Sequence, residues 1–233
     1  YLYKSLIMSK SKKFKNAALL IIGNEILSGR TQDKNINYLA KQLFSHGISL
    51  EEVRVIPDVK STIIKTVKSL KNNFNYIIST GGIGATHDDI TAESISAALK
   101  KDYCLNKKAL KELEKYYKNK SDLTDARKKM AYMPKGSKII LNKVSGAPGF
   151  QIENIYVFAG IPIIVEAMMR EFLKNIKSKT KIYSKSIKTK FFESMIAQKL
   201  KNTEIEFNDV RVGSYPIFDG KFRGVEIVMN SYS

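Results

Sequence analysis

Apolar positions along this chain alternate between unbroken runs and stripes with helical spacing. Ala17-Ala18-Leu19-Leu20-Ile21-Ile22 is a continuous run that ends at Gly23. Without polar alternation it predicts a strand buried on both faces. Across Asp33–His46 the apolar residues Ile36, Leu39, Ala40, Leu43 and Phe44 recur instead at the spacing of one helix face. That stripe predicts an amphipathic helix, stopped by Gly47. Val53–Ile56 predicts a second strand, closed by Pro57-Asp58. Ser61 is the expected cap of a helix burying Ile63, Ile64, Val67 and Leu70, and Tyr76–Ser79 is the third strand. A helix over Ala92–Leu99 completes a β-α-β-α-β-α order, which implies a largely parallel sheet with helices on both faces.

The second half is less regular. Helices are expected around Lys107–Lys118 and Ser121–Tyr132, the latter ended by the turn signal Met133-Pro134-Lys135-Gly136. Lys138–Leu141 and Ile155–Phe158 read as short strands on either side of a glycine-rich loop, Asn142–Phe150. Pro162 opens a helix that runs to about Ile176. From Lys177 the composition changes. A lysine-rich linker leads to a strand (Tyr183–Ile187), a helix (Phe191–Leu200) and two strands (Val210–Tyr215, Gly224–Met229) with a turn at Phe218-Asp219-Gly220-Lys221. The expected fold class is α/β, with a mostly parallel sheet over residues 15–176 and a small α+β domain over residues 177–233. Residues 1–14 are expected to be a disordered extension, with Met8 a candidate start.

Composition narrows the class. The chain has 233 residues, 43% of them hydrophobic, enough for a real core. No apolar run approaches the roughly 20 residues of a membrane helix. A single cysteine, Cys104, excludes an internal disulfide framework and makes the cytoplasm the expected location. The formal net charge is +18, read either as solvated lysine faces or as attraction for anions. No aromatic-interleaved basic motif of the kind single-strand binders use is found and zinc-finger spacing is absent, so nucleic acid is not the expected partner.

The candidate chemistry lies at Ser79–Thr91. An apolar strand runs into Thr80-Gly81-Gly82-Ile83-Gly84-Ala85-Thr86-His87-Asp88-Asp89 and then a helix. Glycines let backbone N–H groups approach a phosphate. The acid pair fits beside a phosphate if a divalent cation lies between, or if it holds a ribose or a water. The same residues also suit a plain structural turn and helix start. Loops bearing Gly23-Asn24-Glu25 and Asp58 follow the other two strands. In a parallel sheet these ends share one edge, where ligands bind. Two histidines and one cysteine leave only oxygen ligands, suited to a hard ion.

The combined motifs resemble the molybdopterin-binding domain, and more closely the competence/damage-inducible protein A family in its stand-alone form. The residues that carry the resemblance are Gly23-Asn24-Glu25-Ile26-Leu27-Ser28-Gly29, Asp33-x-Asn35, Thr80–Thr91, Ser145-Gly146-Ala147-Pro148-Gly149-Phe150, Ala159-Gly160-Ile161-Pro162, Arg127–Ala131 and Gly213–Pro216. Two positions depart from the family pattern: Ala85 stands where a proline is usual, and Asn24 where an aspartate is frequent. The resemblance implies a three-layer α/β/α domain, a nucleotide or pterin pocket at the glycine loops, and a small second domain. It places important acids at Asp58 and Asp89. Longer members carry a C-terminal amidohydrolase, for which this chain is expected to be too short, so that activity is not expected.

From the resemblance and the loops together, the leading expectation is metal-dependent hydrolysis of a nucleoside-diphosphate-linked compound such as ADP-ribose. Asp58, Asp89 and Glu25 would be catalytic. Gly23, Asn24, Thr80, Gly81, Gly82, Gly84, Thr86, Ser145, Gly146, Pro148 and Gly149 would bind substrate. Asp58, Asp88 and Asp89 would hold Mg²⁺, Mn²⁺ or Co²⁺. The alternatives are molybdopterin binding with adenylyl transfer, or a non-catalytic nucleotide sensor. A homo-oligomer, dimer or trimer, is expected.

Overall fold

The computed structural model describes residues 15–176, 182–218, 220 and 223–232. The N-terminal extension, the linker boundary at Lys177 and most of the turn at 219–222 lie outside the described residues. Two compact units are present; the larger takes in Lys15–Phe44 and Ile48–Lys177, the smaller the C-terminal stretch from Ser178.

In the larger unit the elements run β1 (Lys15–Ile22), α1 (Asn24–Leu27), α2 (Asn35–Ser45), β2 (Ile48–Ile56), α3 (Lys60–Lys71), β3 (Tyr76–Thr80) and α4 (Thr91–Leu99). Then follow β4 (Tyr103–Leu105), α5 (Lys107–Tyr116), α6 (Asp125–Lys128), β5 (Tyr132–Pro134), β6 (Lys138–Ile140), β7 (Gly149–Ile152), β8 (Ile155–Phe158) and α7 (Pro162–Lys174). The main sheet has six strands in the order β2-β1-β3-β8-β7-β6. Parallel pairing joins β2, β1, β3 and β8, while β7 and β6 add an antiparallel edge. β4 and β5 form a separate antiparallel ribbon.

β1 explains the layering. Successive side chains of a strand point to opposite faces. Ala18, Leu20 and Ile22 join Ile63, Val67 and Leu70 of α3 and Ile95 of α4 in one core. Ala17, Leu19 and Ile21 join Leu39 and Leu43 of α2 and Val165, Met168 and Met169 of α7 in the other. A run buried on both sides therefore lies in the middle of a three-layer α/β/α stack, as expected. Each such Leu or Ile contributes about 1.5–3 kcal/mol on burial.

Several local expectations are corrected. Ser61 does not cap α3; the cap position is Val59, with no side-chain bond, and Ser61 lies inside the first turn. The helix expected over Ser121–Tyr132 is broken into a 3₁₀ turn (Lys120–Asp122), α6, and a second 3₁₀ turn (Lys129–Ala131). Thr124 restarts the chain there, its hydroxyl accepting from Arg127 N–H at 3.3 Å. Met133 and Pro134, expected in a turn, belong to β5. The strands β4 and β7 were not foreseen. β7 occupies the end of what reads in sequence as a loop.

The smaller unit contains β9 (Ile182–Thr189), α8 (Glu193–Glu206), β10 (Val210–Phe218) and β11 (Arg223–Tyr232). β11 is central and antiparallel to both neighbours. Glu204 of α8 accepts from Val212 N–H at 2.8 Å, and Glu193 accepts from the Ser214 hydroxyl, so α8 is tied along β10. No helix among the described residues is long and apolar enough to cross a membrane.

Candidate functional site

β1, β2 and β3 run parallel, so their C-terminal ends deliver Gly23, Asp58 and Gly81 to one edge of the sheet. The three ends are tied to one another and to β8. Gly23 N–H donates to Ile56 O at 3.2 Å, Asn24 N–H to Asp58 Oδ2 at 2.8 Å, and Gly81 N–H to Phe158 O at 3.2 Å. Asn35, buried at the start of α2, donates through Nδ2 to Gly160 O at 2.8 Å. A cavity of about 560 Å³ opens at this edge. That volume is in the range of small-molecule sites.

The turn after β3 forms one wall. Gly81 (φ +97°) and Gly82 (φ +65°) lie in the left-handed region. A Cβ on Gly81 would run into Ile22 O, and one on Gly82 into Thr91 Oγ1. Only glycine fits, and the bare backbone lies against the cavity. Beneath the turn the hydroxyls of Ser79, Thr91 and Ser94 are buried without a hydrogen-bond partner. Thr91 N–H donates to Gly82 O at 3.0 Å, which fixes the turn on the start of α4.

Four carboxylates line the same cavity: Glu25, Asp58, Asp88 and Asp89. Asp89 is turned back into its own loop, where Oδ2 accepts from Thr86 N–H at 2.8 Å and from the Thr86 hydroxyl. Lys129 Nζ donates to Thr86 O at 2.8 Å and braces the loop from the 3₁₀ turn before β5. Burial pushes the Asp58 carboxyl above the usual carboxylate range, against the Asn24 N–H and with Glu25 and Asp88. Asp88 is fully exposed, and hydrogen bonding within its turn, ahead of the His87 and Lys129 charges, holds it below that range.

The second glycine loop is shaped by Asn142. Its buried amide accepts from Val144 N–H (2.8 Å) and Ser145 N–H (3.3 Å), and donates to Ser145 Oγ (2.5 Å) and Ala147 O (3.2 Å). Gly146 (φ +69°) packs so closely on the Tyr116 ring that a Cβ would collide with it. Ser145 and Ala147 therefore reach the cavity while Gly146 does not line it.

Of the expected residues, Gly23, Glu25, Asp58, Gly81, Gly82, Gly84, Asp88, Asp89 and Ser145 line this cavity. Asn24, Thr80 and Thr86 do not; Thr80 is buried in β3, while Asn24 and Thr86 support the wall through the bonds above. Pro148 is buried and lines a smaller adjoining pocket with Gly82, Gly84 and Asp89. Gly149 is a strand residue whose missing side chain makes room for Val157 O. The cavity also takes in Met130, Ile161 and Pro162, which lie in family motifs given no site role, and Thr31 and Tyr117, which lie in no motif. Ala159-Gly160-Ile161-Pro162 was visible only as a family motif. Nothing local in the sequence pointed to Thr31 or Tyr117.

The expected metal triad shares the cavity without forming a ligand group. Among the described residues no three His, Cys, Asp or Glu side chains gather closely enough to hold a metal ion. The bonds from Asn24 and Thr86 direct Asp58 and Asp89 toward different partners.

Residues 18–178 match the family described as a probable molybdopterin binding domain, and residues 181–233 match the family described as FAD synthase, middle domain. A protein of Archaeoglobus fulgidus is 34% identical over 198 residues, covering 85% of this chain and 84% of that one. A CinA-like protein of Fusobacterium nucleatum is 36% identical over 179 residues, covering 74% of this chain but 44% of that longer one. The crystal structure of the protein CinA with unknown function from Thermoplasma acidophilum superposes with a TM-score of 0.65 at 31% identity. It covers 70% of this chain and 98% of its own. These matches overturn the expectation of an ADP-ribose pyrophosphatase. The family model that spans most of the chain is described as a probable molybdopterin binding domain, and the Fusobacterium relative as CinA-like.

Proposed function

This chain belongs to the molybdopterin-binding-domain family, with CinA-like proteins among its relatives, and from that premise we propose that its larger unit binds a phosphorylated pterin of the molybdopterin type. The observation that carries the reading is the glycine turn Gly81–Gly84, open-backboned and facing the 560 Å³ cavity beside the strand-end acids. With the Gly81 N–H donated to Phe158 O, the backbone N–H groups of Gly82, Ile83 and Gly84 are the donors for the ligand's phosphate oxygens. Asp58 and Glu25 are acceptor-only when ionised, and so suit the amine, ring N–H and hydroxyl groups that a pterin presents.

Adenylyl transfer is the activity such a complex would support. A phosphate oxygen of the bound pterin would attack the α-phosphorus of ATP and release pyrophosphate. The chain's contribution is to hold the attacking phosphate still.

The test is anaerobic titration of the purified protein with molybdopterin, followed by pterin fluorescence. One saturable site per chain is expected. Ile161, which lines the cavity and is 59% exposed, can be enlarged without disturbing the core. Ile161→Trp should therefore weaken binding at unchanged melting temperature. A wild-type protein that leaves the fluorescence unaltered would remove the proposal. Pyrophosphate release on adding ATP reads the transfer step separately.

A further inference from the structure

Tyr117 lines the cavity, yet no glycine or acid motif includes it. It follows the last residue of α5, where the backbone turns extended (φ −87°, ψ 93°) and its N–H still donates to Leu113 O at 2.9 Å. Two neighbours hold its ring. The Arg127 guanidinium carbon lies 4.6 Å from the ring centroid. Tyr116 packs perpendicular to it, at 5.1 Å between centroids and an interplanar angle of 86°. Arg127 is itself fixed, because Nη1 donates to Asp122 O. The close packing of Gly146 on Tyr116 ties the Ser145–Ala147 loop to the same aromatic pair.

This arrangement does something the rest of the site cannot. Glycine N–H groups hold a phosphate and carboxylates accept N–H groups, but neither recognises the face of a flat ring. Among the described residues lining the cavity, Tyr117 alone is aromatic. A ring already clamped by a guanidinium loses little freedom when a ligand stacks on it. The guanidinium over the tyrosine ring is a cation–π contact that holds the ring in place.

We propose that Tyr117, backed by Arg127, is the stacking platform for the planar heterocycle of a phosphorylated ligand, and so distinguishes ring-bearing phosphates from ringless ones. The inference deepens the pterin reading and rests on it for the identity of the ring. The stacking chemistry itself is shared by a purine nucleotide.

Three probes separate the cases: 6-hydroxymethylpterin phosphate, AMP and ribose 5-phosphate. Each is titrated into wild type, Tyr117→Phe, Tyr117→Leu and Tyr117→Ala, with a thermal melt of every variant. Pterin phosphate should bind wild type with quenched fluorescence. Tyr117→Phe should stay within about twofold. Tyr117→Leu, which fills the space without a π face, and Tyr117→Ala should weaken binding by roughly 10-fold or more, the range for a lost stack. Should Tyr117→Ala fail to fold, Tyr117→Leu carries the comparison. Ribose 5-phosphate should bind weakly and equally to all folded variants. Pterin phosphate bound as tightly by Tyr117→Leu as by wild type would overturn the platform and leave the pterin reading standing. AMP binding that depends on Tyr117, without pterin phosphate binding, would uphold the platform and overturn the pterin. Binding of neither ring compound would overturn both.

Discussion

The main-chain N–H of Asn24 donates to Oδ2 of Asp58 across 2.8 Å, so the loop after β1 is pinned by the turn after β2. The bond makes Asp58 a structural acceptor as well as a cavity wall. Burial nevertheless raises its carboxyl, with Glu25 and Asp88 adding repulsion that the Asn24 N–H and its own N–H do not offset. A raised acid binds its proton more tightly in the folded than in the unfolded chain. The stability this contributes is fully present below the unfolded value, near 3.8, and is lost as pH rises through the higher folded value.

Asp58→Asn keeps an acceptor for Asn24 and removes the charge. Its melting temperature should exceed that of wild type at pH 7, with the gap closing as pH falls toward 3.8 and below. Melting curves of both proteins across that range check this. A variant less stable than wild type at pH 7 would show that the ionised carboxylate is favoured in the fold.

Two glycines at the same edge should respond very differently to alanine. Gly81 has a positive φ and meets Ile22 O, so Gly81→Ala combines backbone strain of about 1–3 kcal/mol with a backbone clash. The nearest atom to a Cβ on Gly160 would be Gly81 Cα at 3.5 Å, ordinary contact. Gly160→Ala should change stability by no more than about 0.5 kcal/mol. Urea titration of both variants separates them.

Asn142 is the keystone of the second loop, satisfying two N–H groups and two oxygens from one buried amide. Asn142→Ala should cost about 1–3 kcal/mol, because two part-buried N–H donors and two oxygens lose their partner at once. Faster amide exchange at Val144 and Ser145 should accompany the loss. Unchanged protection there would mean the loop is held by other contacts.

Leu19 is fully buried in β1 between α2 and α7, and Leu19→Ala should cost about 2–5 kcal/mol with no change of denaturant slope. Ile163, on the same helix α7 but 57% exposed, should tolerate alanine within about 0.5 kcal/mol.

The contrast shows what a single sequence can reveal about this fold. β1 was legible because Ala17–Ile22, covered on both faces, has no polar position to interrupt it, and β3 because Tyr76-Ile77-Ile78 runs into the glycine turn. The edge where their loops converge followed from parallel topology alone. β7 was hidden because Gly149-Phe150-Gln151-Ile152 is short and begins with a glycine that reads as loop. That glycine is there to admit Val157 O, a cross-strand fact. Leu123, Met130 and Ala131 have helix-like spacing. Thr124 restarts the chain between them, so the expected helix is broken. Tyr117 and Thr31 reach the cavity from elements distant in sequence, and no local pattern announces such an approach. The hydrolase expectation failed for a different reason: a glycine turn beside acids is shared by several chemistries, and spacing does not choose among them.

β3 and β8 are neighbours in the sheet although Ile77 pairs with Ile155, far along the chain. Gly81 and Asn35 likewise find their partners in Phe158 and Gly160. Loop-closure entropy makes such distant pairings late events in folding. During synthesis the glycine turn leaves the ribosome well before Phe158 does. A nascent or prematurely terminated chain thus displays the motif without the walls around it. Ligand capture becomes a property of the nearly finished polypeptide, and fragments ending before β8 should neither retain ligand nor resist proteolysis.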